Sequence, residues 1–243
     1  PSSLIEPLEN RRLLSTVTLT GSAGNDTFVV RADATGTAAE FLQNGNPTPV
    51  VTEPLATLGL ITINGLGGDD RLTLDFTFGN VIPGDLSFDA STGANVLEIL
   101  GREGNGTITL AGGTALESSD VYATENLSLT LSSGTLLMTS SHQVESLSVA
   151  SGAVATIAAG GGKTLVVDAL NLTGSPIGTL DLNDNDLVID YAGSSPRTTV
   201  RSQLASARNG GLWNGVGIRS SAVAAAAASS GFYLTALGDA EAS

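Results

Sequence analysis

The sequence contains no cysteine, one histidine and one tryptophan in 243 residues. Without cysteine there is no disulfide, no thiolate nucleophile and no cysteine-based zinc site. A single histidine excludes a His-rich metal centre and leaves general-base work to His142 or a carboxylate. Charge is scarce as well. Asp, Glu, Lys and Arg make up 14% of the chain, against about a quarter in typical soluble domains. The charge present is one-sided, 24 acidic against 10 basic residues for a net charge of -14. That balance repels nucleic acid and anionic membrane surfaces. No apolar run reaches the roughly 18 residues of a membrane-spanning helix; the longest block of small residues is Ala222 to Ala228. Aromatics amount to only 4%.

What the chain has in quantity is glycine, 30 residues, and aliphatic side chains, with mean hydropathy +0.22. A disordered acidic chain would be poor in Val, Ile and Leu. From Thr16 to about Asp190 apolar residues recur with period two, as in Ile61-Thr-Ile63, Leu72-Thr-Leu74, Ile108-Thr-Leu110, Leu127-Ser-Leu129-Thr-Leu131 and Leu147-Ser-Val149. Such short alternating runs are half-buried strands. Turn formers punctuate them, including Asn44-Gly45, Asn64-Gly65 and Asn105-Gly106. No long amphipathic helix interrupts the pattern, so the region is expected to be all-β.

The runs also repeat. Gly21-Ser-Ala-Gly24-Asn-Asp26-Thr-Phe28 aligns with Gly65-Leu-Gly-Gly68-Asp-Asp70-Arg-Leu72, and a weaker copy passes through Gly93, Asn95 and Leu97. Farther on, Leu129-x-Leu131-x-Ser-Gly134 returns as Leu147-x-Val149-x-Ser-Gly152 and again at Leu170-x-Leu172-x-Gly174. A repeat near 20 residues is one coil of a β-solenoid, each coil sheltering the inward aliphatics of the next. A narrow stacked core also accounts for the few aromatics. The competing arrangement is a β-sandwich, which needs no repeat. The expected fold is a parallel β-helix or β-solenoid over 16–190 with a small helical cap over 191–243. In that cap, Val200 and Leu204 share a helix face after Pro196, Asn209-Gly-Gly211 ends the helix, and Ser220 or Ser221 caps the alanine block.

Three segments resemble known families. Within residues 1–15, Glu6, Leu8, Glu9, Arg11, Leu13, Leu14 and Ser15 resemble the LEPR-XLL signal of exported surface proteins from planctomycete-type bacteria, with Asn10 where that family often has Pro. Asn185 to Tyr191, Arg201 to Leu204, Asn209 to Ile218 and Leu237 to Ser243 resemble a block near the C-terminus of the same class, which often follows β-solenoid repeats and precedes a dockerin-like module. The resemblance implies export to the cell surface or medium, with residues 1–15 as the targeting segment. The chain opens on Pro1, which reads as a processed product or a piece of a longer protein. The Gly-x-x-Gly-x-Asp turns are similar to the RTX nonapeptide. That similarity implies calcium, with Asp26, Asp70, Asp69 and Asn25 as ligands; Ser22 and Leu66 stand where the family has its second Gly.

Other candidates carry less. Asp181 to Asp186 lacks the Gly and Glu of an EF-hand loop and reads as strand–turn–strand. Gly160-Gly-Gly-Lys163-Thr164 lacks the first Gly of a phosphate loop. His142, between Ser141 and Gln143, reads as an exposed turn residue without a triad. Arg197, Arg201, Arg208 and Trp213 suggest a sugar patch or, more simply, a packed cap. The reading is therefore a non-catalytic exported scaffold or adhesion module whose partners are surface glycans or other surface proteins. The alternative is a carbohydrate-active β-helix enzyme, marked by acids gathered beside Arg102 or Lys163 in one groove.

Overall fold

The computed structural model describes residues 13–102, 104–118, 122–230 and 236–241. Most of the proposed export segment, residues 1–12, lies outside them. The chain winds into a β-solenoid with two sheets. Strands β1 (Ser15–Thr20), β5 (Leu58–Asn64), β7 (Asp85–Asp89), β9 (Gly106–Ala111), β11 (Leu127–Leu131), β13 (His142–Val149), β15 (Thr164–Leu172) and β17 (Asp186–Ile189) form the first sheet, in that order and all parallel. The second sheet runs through β2 (Thr27–Ala32), β6 (Arg71–Asp75), β8 (Asn95–Leu100), β10 (Gly113–Ser118), β12 (Thr135–Met138), β14 (Val154–Ile157), β16 (Thr179–Asp181) and β18 (Gly217–Arg219).

The sequence repeats are the register of these sheets. Phe28 pairs with Leu72 and Leu72 with Leu97; Leu129 pairs with Leu147 and Leu147 with Leu170. Inward residues of both sheets meet in one continuous stack, and Ile61, Leu72, Leu86, Leu97, Ile108, Leu129, Leu147 and Leu180 are all buried. Each contributes about 1.5–3 kcal/mol by leaving water.

The 44-residue separation of the first two copies conceals an insertion. Strand β3 (Ala38–Gln43) folds back antiparallel onto β2 and β4 (Val51–Pro54) antiparallel onto β3, extending the second sheet at that end. The sequence reading recognised the Asn44-Gly45 turn but not these strands. Phe41 from β3 joins Phe28, Phe76 and Phe88 as fully buried rings, so four of the six phenylalanines are core residues of the first few coils.

The other end carries the expected helices, α1 (Arg197–Arg208) and α2 (Ser221–Ser230). Val200 and Leu204 of α1 pack on the core, and Asn209 takes a left-handed conformation that ends the helix. Ser220 Oγ accepts the Val223 N–H at 3.0 Å, the capping bond expected before the alanine block. The segment after residue 190 does more than cap. Its strand β18 pairs with β16 and completes the second sheet.

Candidate functional site

The four expected calcium ligands lie together on the stacked turns that enter the second sheet. They work there as acceptors for the backbone of neighbouring coils. Asn25 Oδ1 accepts the Asp69 N–H at 2.9 Å, and Asp69 Oδ1 accepts the Ala94 N–H at 2.8 Å. One residue along, the direction reverses. Asp70 Oδ1 accepts the Asp26 N–H at 2.9 Å, and Asn95 Oδ1 accepts the Asp70 N–H at 2.8 Å. Two polar rows thus interlock three coils, one pointing up the stack and one down. The row is possible because the turns nearly touch. A Cβ on Gly93 would stand 1.8 Å from the Gly68 carbonyl oxygen, and Gly93 has φ 134°.

The two Asp turns differ in detail. Asp26 is saturated: Oδ2 accepts Ser22 N–H at 2.6 Å and Ser22 Oγ–H at 2.9 Å, and Oδ1 accepts Asn44 Nδ2 at 2.7 Å. Those bonds, Asn44 first, hold its carboxyl below the usual range. In the next coil Leu66 takes φ 75°, and Asp70 Oδ2 is buried with no partner. Burial pushes the Asp70 carboxyl up, and the charges of Asp26 and Asp69 push the same way, against the Asp26 N–H. The equivalent atom of the next rung is an amide: Asn95 Nδ2 donates to Ala90 O and Gly113 O, both at 3.0 Å. Calcium takes six to eight oxygens. In this arrangement the oxygens of Asn25 and Asp26, and Oδ1 of Asp69 and of Asp70, already receive N–H or O–H donors. Among the described residues, no group of three or more His, Cys, Asp or Glu side chains is placed to hold a metal ion.

His142 departs from the sequence expectation. It is not an exposed turn residue; it is 1% exposed and opens β13. Ser118 Oγ lies 3.3 Å from Nδ1 and Ser140 Oγ 3.3 Å from Nε2. Burial lowers its pKa to about 4. Period two explains the burial: His142 and Val144 both point inward, the His taking an aliphatic position. Trp213 is buried too, 4% exposed, which removes it from any sugar-stacking surface.

Two grooves remain. One, of about 560 Å3, is polar and is lined by Arg102, Asn105, Glu125, Asn126, Glu145 and Asp168, from the starts of β9 and β11 to the middles of β13 and β15. Glu145 accepts the Ser128 hydroxyl at 2.8 Å, and the Arg102 guanidinium lies 5.4 Å from the Tyr122 ring centre. No local motif marks this groove, because its residues come from successive coils. Lys163 lies elsewhere, on the glycine turn before β15, where Nζ donates to Ala159 O at 3.1 Å. The second groove, of about 730 Å3, lies between β17, α1 and the segment 236–241.

Asp181, from the EF-hand-like stretch, ends β16 and is 2% exposed. It binds Arg219 Nε at 2.9 Å and accepts Ser221 N–H at 2.9 Å at the start of α2. Burial alone would raise its pKa; the bonds from Ser221, Asn183 and Arg219 outweigh it and lower the value. This carboxylate holds the cap to the last coils. Compared with known proteins, the chain matches no protein-family model, no curated protein and no solved structure.

Proposed function

We propose that the protein is a non-catalytic, exported structural scaffold that presents a stiff solenoid at the cell surface or in the medium and adheres to surface glycans or other surface proteins. The observation that carries this reading is the unbroken parallel ladder of the first sheet, from β1 to β17, with the polar rows interlocking three coils at the turns that enter the second sheet. Such a stack resists bending because every coil shares hydrogen bonds and core with both neighbours. The export half of the proposal rests on the LEPR-XLL resemblance. A glycan array, read alongside pull-down of surface proteins, tests adhesion. A chain that binds none of these and instead cleaves a polysaccharide overturns the scaffold.

One observation favours the enzyme reading. Three carboxylates, Glu125, Glu145 and Asp168, share a groove with Arg102. Paired carboxylates beside a cation suit glycoside hydrolysis or lyase chemistry. A screen of acidic and neutral polysaccharides, repeated with Glu145→Gln and Asp168→Asn, separates the two. Release of new sugar ends by the native chain and its loss in these variants would establish catalysis. No release is the scaffold's expectation.

A further inference from the structure

Among the described residues, the outer edge of β17 is open. Asp186 N–H donates to Lys163 O, just before β15, at 3.0 Å, and Asp190 N–H to Val167 O of β15 at 2.8 Å. Alternation then turns the N–H and C=O groups of Leu187 and Ile189 to the opposite edge. No strand follows β17 in its sheet, and among the described residues no backbone group pairs with that edge. The 730 Å3 groove runs beside it, floored by Leu187, Ile189, Val200 and Leu204, with Leu237 of the segment 236–241 forming a wall. Unpaired edges invite an added segment.

The segment 236–241, in neither helix nor strand, already lines this groove. Leu237 packs on the core. Asp239 takes Arg197 Nε at 2.8 Å and Arg201 Nε at 3.1 Å, and Tyr191 donates to Glu241 at 2.6 Å. These polar anchors are exposed, and exposed ion pairs hold weakly. The segment offers an apolar anchor followed by two acids, spaced by single residues. A second copy carries the same segment and the same groove, which is the condition for exchange of an element between protomers.

We propose that the groove between β17 and α1 is an acceptor site for an apolar-acidic segment, and that residues 236–241 of a second copy of this chain occupy it. Occupancy within one chain competes through its higher effective concentration, so exchange grows where copies are crowded. Exchange links solenoids through their capped ends without disturbing either core.

Two full-length variants test this. The first, Asp239→Arg with Glu241→Arg, reverses the segment and leaves the groove native. The second, Arg197→Asp with Arg201→Asp, reverses the groove and leaves the segment native. In each, hydrogen exchange over 236–241 is expected to speed up, because its own segment is repelled, and each alone stays at the mass of one chain. Mixed in equal amounts, native segment meets native groove across two chains, and reversed meets reversed. Light scattering then shows doubled mass, which returns to the single mass as salt is raised from about 50 to about 500 mM. A mixture that stays at single mass overturns the proposal. So does either variant doubling alone, which places the contact elsewhere, or unchanged exchange over 236–241, which shows that the ion pairs do not hold the segment. Circular dichroism matching the native chain confirms that both variants are folded.

Discussion

At the scale of single residues, the buried polar groups decide how the solenoid responds to pH. Asp70 sits on a rung whose neighbour, Asn95, shows what the site prefers: an acceptor oxygen for the coil below and an amide donor for the carbonyls beside it. Asp70 supplies the acceptor and leaves Oδ2 orphaned. Its folded pKa lies above the unfolded value, so the folded state holds the proton more tightly. The stability linked to it is complete below the unfolded value near 3.9 and is lost as pH rises through the raised one. Asp70→Asn keeps Oδ1 and adds the donor. It is expected to raise stability at pH 7 by about 1–2 kcal/mol, and the gain should shrink in acid. Melting at pH 7 and pH 4 checks both halves; an Asn variant less stable than native at pH 7 would contradict the rung assignment.

His142 has the opposite sign. Its folded pKa, about 4, lies below the unfolded value of 6.5, so the unfolded chain takes up the proton first. Its contribution is complete above pH 6.5 and declines as pH falls towards 4, by roughly 3 kcal/mol in all. Replacing it with Gln removes that step. Urea midpoints at pH 7 and pH 4.5 are expected to differ more in the native chain than in His142→Gln.

At the scale of the element, the stacked turns set limits that strand patterning does not reveal. Gly93 needs both its positive φ and its missing side chain, because the Gly68 carbonyl of the coil below occupies the space. Gly45, at φ 68° in the β3–β4 turn, has nothing within 4 Å of where a Cβ would stand. Gly45→Ala is expected to cost only the left-handed penalty of about 1–2 kcal/mol. Gly93→Ala must also push two coils apart, and is expected to lower the denaturant midpoint well beyond the Gly45 variant. Equal effects would show that the turns are looser than their contact distances require.

The strand elements were legible from period two, because one inward face leaves an alternating trace. The β3–β4 hairpin was not, although Phe41 and Ala39 are as buried as any core residue. Its strands break the solenoid repeat, and only the excess length between the first two copies hints at them. The similarity to the RTX repeat picks out the Asp and Asn of the turns as a group, and the structure brings them together on neighbouring coils. Their job was not legible, since a carboxylate that ligates an ion and one that accepts an N–H occupy the same position in a sequence.

At the scale of the whole molecule, stability comes from coil-to-coil repetition of core and ladder. The interlocked rows at Asn25, Asp26, Asp69 and Asp70 bind neighbouring backbones directly. The melting temperature is therefore expected to be the same in millimolar calcium and in chelator. A rise of several degrees in calcium would show that the turns rearrange to ligate it.

The sequence by itself determined the winding. Apolar residues at every second position, returning at coil-length intervals between turn formers, permit few arrangements other than stacked parallel coils, since each coil can bury its inward face only against its neighbours. Tertiary structure alone decided which polar groups are spent inside and which are left for partners. Stacking brings Asp26 beside Asp70, buries His142 between serines, and gathers Arg102 with Glu145 and Asp168 from separate coils. It also lays residues 236–241 beside the open edge of β17. Those neighbours are set by contacts across whole coils, and no local pattern of residues records them.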